Sequence, residues 1–462
     1  MPRVTLGGDC SAQKLFPPSP AEDITFGISI VATDEGLVVG SFGSAFLFER
    51  AGLEWSLAVE FAIPGYGDLE LYGWPVAAAG DVVAVAASGG GFGGVLGGEV
   101  VVYRRAGDTW IIDTTISGDT PNGHFGQSIA MADDLLVVGA PRENGVKGRV
   151  HVYRRVDGEW IEEAVLLPPP TLQWFEGFGW EVDVDGDRIA VGDYSEWTDS
   201  SLRVVTFKYD NGEWVQESVL DYSFALGAIY GVWIDLNDEF MVVNGRYGDF
   251  NYLYEWVQDA WVQRGEFYGN TVLYAGQASV DRNHVLEIFG AQGGRLHRRD
   301  GDSWIETAEF AGPNNEWLPW GVAELSGAWA IVGDETDEDA GFDFAGAVHL
   351  IPLPIDCNNN GVSDACDIAT GSSSDANSDG VPDDCQPNSC PRGGCENLDI
   401  AGDDCVIDLG DLGLLLANFN REGWDIAGDS DIDGDVDLAD LGAMLAAWGS
   451  NCTLQEAEKQ AR

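Results

Sequence analysis

Side-chain oxygens recur at a fixed loop spacing in three places near the C-terminal end of this 462-residue chain. Asp356, Asn358, Asn360, Asp364 and Asp367 fill positions 1, 3, 5, 9 and 12 of the first loop, and Val362 offers a backbone carbonyl at position 7. Asp375, Asn377, Asp379 and Asp383 repeat positions 1, 3, 5 and 9 in the second, with Val381 at position 7 and Gln386 at position 12. Asp429, Asp431, Asp433, Asp437 and Asp440 make the third, with Asp435 at position 7. Gly361, Gly380 and Gly434 stand at position 6, where the chain must turn sharply. Oxygen ligands alternating along a loop suit a hard cation, Ca2+ above all, and Gln386 makes the second loop the weaker binder.

An imperfect fourth loop runs from Asp399 to Asp411, one residue longer, with Ala401 at a ligand place and Asp404 at the turn. Asp399, Asp403, Asp408 and Asp411 are its remaining candidate ligands. Short apolar-faced helices are expected after it (Leu412 to Phe419) and after the third loop (Leu441 to Trp448). Catalytic patterns are missing: there is no nucleophile elbow, zinc-protease helix, phosphate loop or Cys/His zinc set. Carboxylates are plentiful enough to leave a glycosidase pair open, because their separation is invisible in sequence. Of the five histidines, His151, His297 and His349 fall on one face of equivalent strands, so they read as repeat positions rather than ligands.

These groups need a frame, and internal repetition supplies one. An aromatic-Gly mark appears at Phe26, Tyr72, Phe125, Phe178, Tyr230 and Trp320, with a worn copy at Tyr274, spaced by 44 to 53 residues. After each mark come a short alternating strand, a tight polar turn and a nearly continuous apolar run such as Leu135 to Gly139. A third strand ends in a ring (Phe48, Tyr103, Tyr153, Phe207, Tyr254 or His297), and seven residues later a Trp opens a fourth. Seven units of four antiparallel strands predict an all-β fold, a seven-bladed β-propeller. The seventh unit lacks its fourth strand. Lys14 to Pro18 match Val165 to Pro169, so residues 10 to 18 are expected to close the ring. In that register Cys10 and Cys357 come near each other, where a disulfide would staple the closure, although pairing is not fixed by sequence. The face carrying the loops before first strands and after second strands holds Trp174, Phe175, Tyr194, Trp197, Tyr222, Phe224, Trp317 and the stretch Asp334 to Asp339. Rings there are candidates for ligand contact, against loop packing as the plainer alternative. The pairs Arg104-Arg105, Arg154-Arg155 and Arg298-Arg299 read as solvated strand ends.

Across residues 10–354 the units resemble, in shortened form, the FG-GAP repeats of integrin-α-like propellers, with Phe-Gly-x-Ser and VVGAP together in Phe125 to Pro141. The resemblance implies a binding platform, usually extracellular. Integrin-type units often hold calcium between their first two strands. Here that turn is too short, even at Asp183 to Asp187, so the propeller is assigned none. Residues 355–390, with Cys357, Cys366 and Cys385 interleaved, resemble thrombospondin type 3 calcium repeats, in which metal and disulfides replace a hydrophobic core. Residues 396–452 resemble a small α-helical dockerin-like module with EF-hand-like loops, which implies a cohesin-like protein partner. Cys390 with Cys395, and Cys405 with Cys452, are further candidate pairs.

Composition bounds the function. Asp and Glu number 78 against 23 Lys plus Arg, a formal charge of −55, which repels phosphate backbones and anionic lipid. No apolar run reaches membrane-spanning length. Seven of the eight cysteines lie in the acidic tail, which suits an oxidising, calcium-rich, extracellular setting. The first twenty residues lack signal-peptide regions, so secretion implies a misplaced start or a leader already removed. The favoured reading is a secreted or cell-surface, non-catalytic calcium-binding protein for adhesion or scaffold attachment, its propeller meeting a protein or surface glycan. The alternatives are an extracellular polysaccharide-degrading enzyme attached through the dockerin-like module, and a structural component of a surface layer.

Overall fold

A computed structural model describes residues 13–21, 24–33, 36–51, 54–62, 72–88, 97–107, 109–170, 177–194, 201–223, 232–245, 250–268, 278–281, 284–288, 294–300, 303–310, 322–326, 329–334, 337–353, 355, 362–374 and 382. The strands form seven four-stranded antiparallel sheets, the blades of a β-propeller. Blade one holds β2 (Ser29–Thr33), β3 (Gly36–Ser41), β4 (Ser44–Ala51) and β5 (Glu54–Phe61). Blade two holds β6 (Tyr72–Ala79), β7 (Val82–Ala87), β8 (Glu99–Ala106) and β9 (Thr109–Ser117). Blade three holds β10 (Ile129–Ala132), β11 (Leu135–Ala140), β12 (Arg149–Val156) and β13 (Glu159–Leu166). Blade four holds β14 (Glu181–Asp185), β15 (Arg188–Gly192), β16 (Ser201–Asp210) and β17 (Glu213–Ser223). Blade five holds β18 (Val232–Leu236), β19 (Phe240–Gly245), β20 (Phe250–Val257) and β21 (Ala260–Tyr268). Blade six holds β22 (Ala278–Asp281), β23 (His284–Ile288), β24 (Gly294–Asp300) and β25 (Ser303–Phe310). Blade seven joins β26 (Ala323–Ser326), β27 (Trp329–Asp334) and β28 (Ala347–Pro352) to β1 (Gln13–Leu15), which pairs with β28 so that Lys14 faces His349.

The sequence rhythm maps onto blade geometry. The apolar runs are second strands, such as β3, β7 and β11, buried along their whole length between neighbouring blades. In six blades the register between third and fourth strands slips immediately before the ring residue: Phe48, Tyr103, Tyr153, Phe207, Tyr254 or His297. Such a bulge bends the strand and increases its twist, as a blade requires. Two pairs beyond the ring residue, each Trp stands opposite its partner, as Trp160 does Arg155. The seven-residue interval therefore holds a two-residue hairpin. Asp157-Gly158 and Asn211-Gly212 turn it with φ of 53°, 85°, 51° and 91°, the left-handed pair that matches strand twist.

The aromatic-Gly mark is a joint between blades. The Phe26, Phe125 and Phe178 amides donate to the previous blade's Ala345, Gly97 and Lys147 carbonyls, each at 3.1 Å. The next residue's amide turns inward: Gly27, Gly126 and Gly179 donate to Gly40, Gly139 and Gly192 of their own second strands at 3.0, 3.0 and 3.1 Å. That switch needs φ near +90°, and a Cβ on Gly27 would lie 2.6 Å from the Ala347 oxygen. Only glycine fits.

Between blades the core is continuous. Val150 and Val152 of blade three pack with Val182, Val184 and Ile189 of blade four. The Arg pairs are not merely solvated. Arg105 reaches Glu49 of blade one at 3.7 Å, Arg155 reaches Asp81 of blade two at 3.3 Å, and Arg299 pairs with Glu239 of blade five at 2.5 Å. Two of the first Arg residues brace their own fourth strands: Arg104 pairs with Asp113 at 3.1 Å and Arg154 with Glu163 at 3.0 Å.

Outside the propeller the structure describes one helix, Asp364–Thr370, closed by Gly371 in the left-handed conformation (φ 73°). Among the described residues no cysteine is a free thiol, and no helix is long and apolar enough to cross a membrane.

Candidate functional site

The innermost strands β2, β6, β10, β14, β18, β22 and β26 surround a central cavity of about 350 Å3. Each is a sheet edge, with backbone amides that no further strand can pair. Side chains of the preceding blade take up several of them. Asp183 Oδ2 accepts the Leu236 amide at 2.7 Å, Asp235 Oδ2 that of Val280 at 2.8 Å, and Ser279 Oγ that of Leu325 at 2.9 Å. Both Glu324 oxygens accept from the Ala32 amide, at 2.8 and 2.9 Å. Four successive junctions, from blade four round to blade one, are latched in this way.

The other half of the ring differs. In blades one, two and three the register position of Asp183 and Asp235 holds Val31, Ala77 and Ala130. There Ser29 Oγ accepts the Val76 amide at 3.1 Å and Ser128 Oγ donates to the Gly179 carbonyl at 3.1 Å. The cavity consequently has an acidic wall, with Glu181, Asp183, Asp235 and Glu324, and an apolar wall opposite. Burial, followed by the neighbouring Asp235 charge, holds the Asp183 carboxyl well above the usual carboxylate range. Trp180 and Trp233 line the same cavity, and Trp180 is stacked on Tyr194 with ring centroids 4.3 Å apart.

A second polar cluster lies in blade seven. Asp334, Asp337 and His349 bring ligand atoms within 4.8 Å of one another, near enough for one metal ion. The Lys14 ammonium already pairs with Asp337 and, at 2.5 Å, with Asp339. Burial lowers the Lys14 pKa, but the hydrogen bonds to Asp337 and Asp339 together with their charges outweigh it, and the value is raised. Burial, helped by the Lys14 charge, pushes the His349 imidazole down to about 4. An ammonium in place makes this an ion-pair cluster tying β1 to blade seven.

The aromatic face predicted from sequence is represented by Tyr194, which packs on Trp180, and by the backbone of Tyr222 in β17. Trp174, Phe175, Trp197, Phe224 and Trp317 lie outside the described residues. So do Asp356, Asn358, Asn360, Asp375, Asn377, Asp379, Val381 and Asp383, the whole third loop from Asp429 to Asp440, and Cys10 and Cys357. Val362, Asp364 and Asp367 are described. Asp364 and Asp367 sit three residues apart in the first turn of their helix, with 2% and 1% of their surface exposed.

Asp183, Asp235, Ser279, Glu324, Trp180 and Trp233 line the cavity, and each is an ordinary strand or strand-edge residue in its own repeat. A signal existed, because Asp183 and Asp235 each stand five residues after an aromatic mark. Within the repeat, Asp183 to Asp187 read as a turn too short for calcium.

Residues 116–153 match the model of the FG-GAP repeat family, a span running from the end of blade two into the third strand of blade three. No curated protein matches the chain. The solved structure of U3-55K is 12% identical, with a TM-score of 0.51 over 75% of this chain and 99% of its own. The WD40 repeats of RRP9 are also 12% identical, with a TM-score of 0.50 over 76% of this chain and 99% of theirs. At that identity the likeness is one of fold.

Proposed function

We propose that this chain is a secreted, non-catalytic binding protein in which the propeller is the ligand platform and the acidic tail a calcium-ordered spacer and docking module. The propeller's central cavity, with its acidic wall and two Trp rings, is the observation that carries the platform reading. In this reading residues 10–18 close the ring through the outer strand of blade seven, which the pairing of Lys14 with His349 supports.

The tail reading rests on carboxylate chemistry. Burying an ionised carboxylate is unfavourable unless hydrogen bonds or a cation compensate it. Asp364 and Asp367, nearly fully buried on one helical turn, fit positions 9 and 12 of a calcium loop whose last residues open a helix. Val362 would add its carbonyl, and Ca2+ would order the loop. The loops at Asp375 and Asp429 extend the same chemistry toward a cohesin-like partner, with adhesion or scaffold attachment as the role.

A calorimetric calcium titration of the full chain tests this. About three sites are expected, at roughly 0.1 to 1 mM. Asp367→Asn should remove the first and Asp433→Asn the third. No calcium uptake by the full chain would sink the tail reading.

A further inference from the structure

We propose that the loop joining β27 to β28 in blade seven is a docking surface for a basic, extended peptide segment of a partner protein. This surface is separate from the central cavity, since none of its residues lines that space.

Aromatic exposure singles the loop out. Among the described residues three aromatic side chains are exposed, Phe16, Phe342 and Phe344, with 39%, 43% and 46% of their surface open. All three belong to blade seven: Phe16 directly follows β1, and Phe342 and Phe344 lie in the loop. Described rings in the other six blades are buried or half-buried, so the exposure is a property of this blade and not of the repeat.

Phe344 is also held in an unfavourable backbone conformation. Its φ is 51°, and it is the one apolar side chain in the left-handed region among the described residues. Glycine takes that conformation freely, whereas a bulky residue is strained there. Backbone hydrogen bonds fix the loop around it. The Phe344 carbonyl accepts the Thr25 amide at 2.9 Å, and the Asp337 carbonyl accepts the Gly346 amide at 2.9 Å. The fold thus presents a ring outward, on a pinned backbone, at a cost that packing of a half-exposed side chain repays poorly. A surface ordered before it meets its partner loses less freedom on binding.

Charge identifies the partner. Glu338, Asp339 and Asp343 are exposed on the same loop, and the side chains of Glu338 and Asp343 have no partner among the described residues. The adjoining strand shows what such a mixture holds. The Lys14 ammonium lies 5.2 Å from the centre of the Phe16 ring and 2.5 Å from Asp339. Phe342, Asp343 and Phe344 repeat the combination of ring and carboxylate without a cation from this chain. An arginine suits it best, because a guanidinium stacks on a ring face while pairing with a carboxylate. Alternate side chains of an extended segment share one face, so two cations can meet the two rings from one side. A second copy of the chain is the wrong occupant at a formal charge of −55. The acidic tail is wrong as well, with only Arg392 and Arg421 between Ile355 and Cys452.

The test is fluorescence anisotropy of a labelled Gly-Arg-Gly-Arg-Gly peptide with the full chain, in 0.15 M NaCl and excess CaCl2, where calcium competes for the tail carboxylates. The control peptide carries citrulline, a neutral isostere, in place of both arginines, and it should bind at least fivefold more weakly. Phe344→Gly should weaken the arginine peptide roughly two- to fivefold, the scale of one exposed cation–π contact, and should hold or raise the denaturation midpoint by relieving the strain. Asp343→Asn should weaken the peptide to a similar extent. Glu159→Gln, which removes one exposed charge from blade three, should leave it unchanged. Equal binding of the two peptides would overturn the proposal, and so would the absence of any binding. Indifference to both loop variants would place the peptide elsewhere, and an equal loss in Glu159→Gln would reduce the effect to diffuse surface charge; either result sinks the assignment. All four failures leave the central cavity reading standing, because these residues lie outside it.

Discussion

Asp183 accepts the amide of Leu236, 53 residues away and one blade on, at 2.7 Å, and Asp235 repeats the contact with Val280 at 2.8 Å. The two carboxylates close adjacent junctions of the ring and repel each other while doing so. An edge amide needs an acceptor, but it does not need a charge.

That distinction gives a first prediction. Asp183→Asn keeps an acceptor for Leu236 and removes the repulsion, so it is expected to hold or raise the denaturation midpoint. Asp183→Leu leaves the amide orphaned and should lose about 1–3 kcal/mol. Urea titrations of the two variants check this. Equal loss in both would show that shape rather than hydrogen bonding matters here.

Asp193 gives a pH dependence. Burial pushes its carboxyl up to about 7, although the Arg203 amide (2.7 Å) and guanidinium (3.6 Å) oppose the shift. Between about pH 4 and pH 7 the unfolded chain has released this proton while the folded chain holds it. Folding then takes up a proton, and stability falls as pH rises through that window. Asp193→Asn should flatten the decline and be the more stable form above pH 7, by at most about 4 kcal/mol. Melting temperatures from pH 4 to 8 decide the matter.

His284 works in the opposite direction. Burial, then the charge of Arg298 across the strand pair, pushes its imidazole down to about 4. The unfolded chain binds a proton near pH 6.5 that the folded chain refuses, so stability is lost as pH falls from 6.5 toward 4. His284→Gln should recover about 1–2 kcal/mol at pH 4.5 and change nothing at pH 8. A variant as acid-sensitive as the parent would contradict the assignment.

Gly148 tests the joint between blades three and four. It opens the third strand with φ of 87° and bridges to Phe178, whose carbonyl oxygen would lie 2.0 Å from an added Cβ. Gly148→Ala combines backbone strain with a clash that has no flexible side chain to yield. A loss of about 3 kcal/mol or more is expected in chemical denaturation. Gly158→Ala, at a hairpin turn with open space around it, carries only the conformational part and should lose less.

Local chemistry within each repeat specifies the blades. Strand period, the Asp157-Gly158 and Asn211-Gly212 turns, the ring before each Trp and the aromatic-Gly mark are all local chemistry, legible within a single repeat. Burial of Leu37, Leu136 and Ile189 follows from the same patterning. Tertiary structure alone decided what the repeats do to one another. Arg105, Arg155 and Arg299 look like solvated strand ends within their own repeats, but their partners belong to preceding blades. The cavity's two walls exist because one strand position holds Val31, Ala77 and Ala130 in three blades and Asp183 and Asp235 in two others. Each of those residues is an ordinary strand position within its own repeat. Hydrogen bonds spanning 45, 53 and 292 residues have no local signature, because the geometry that makes them arises only when the blades meet around a common axis.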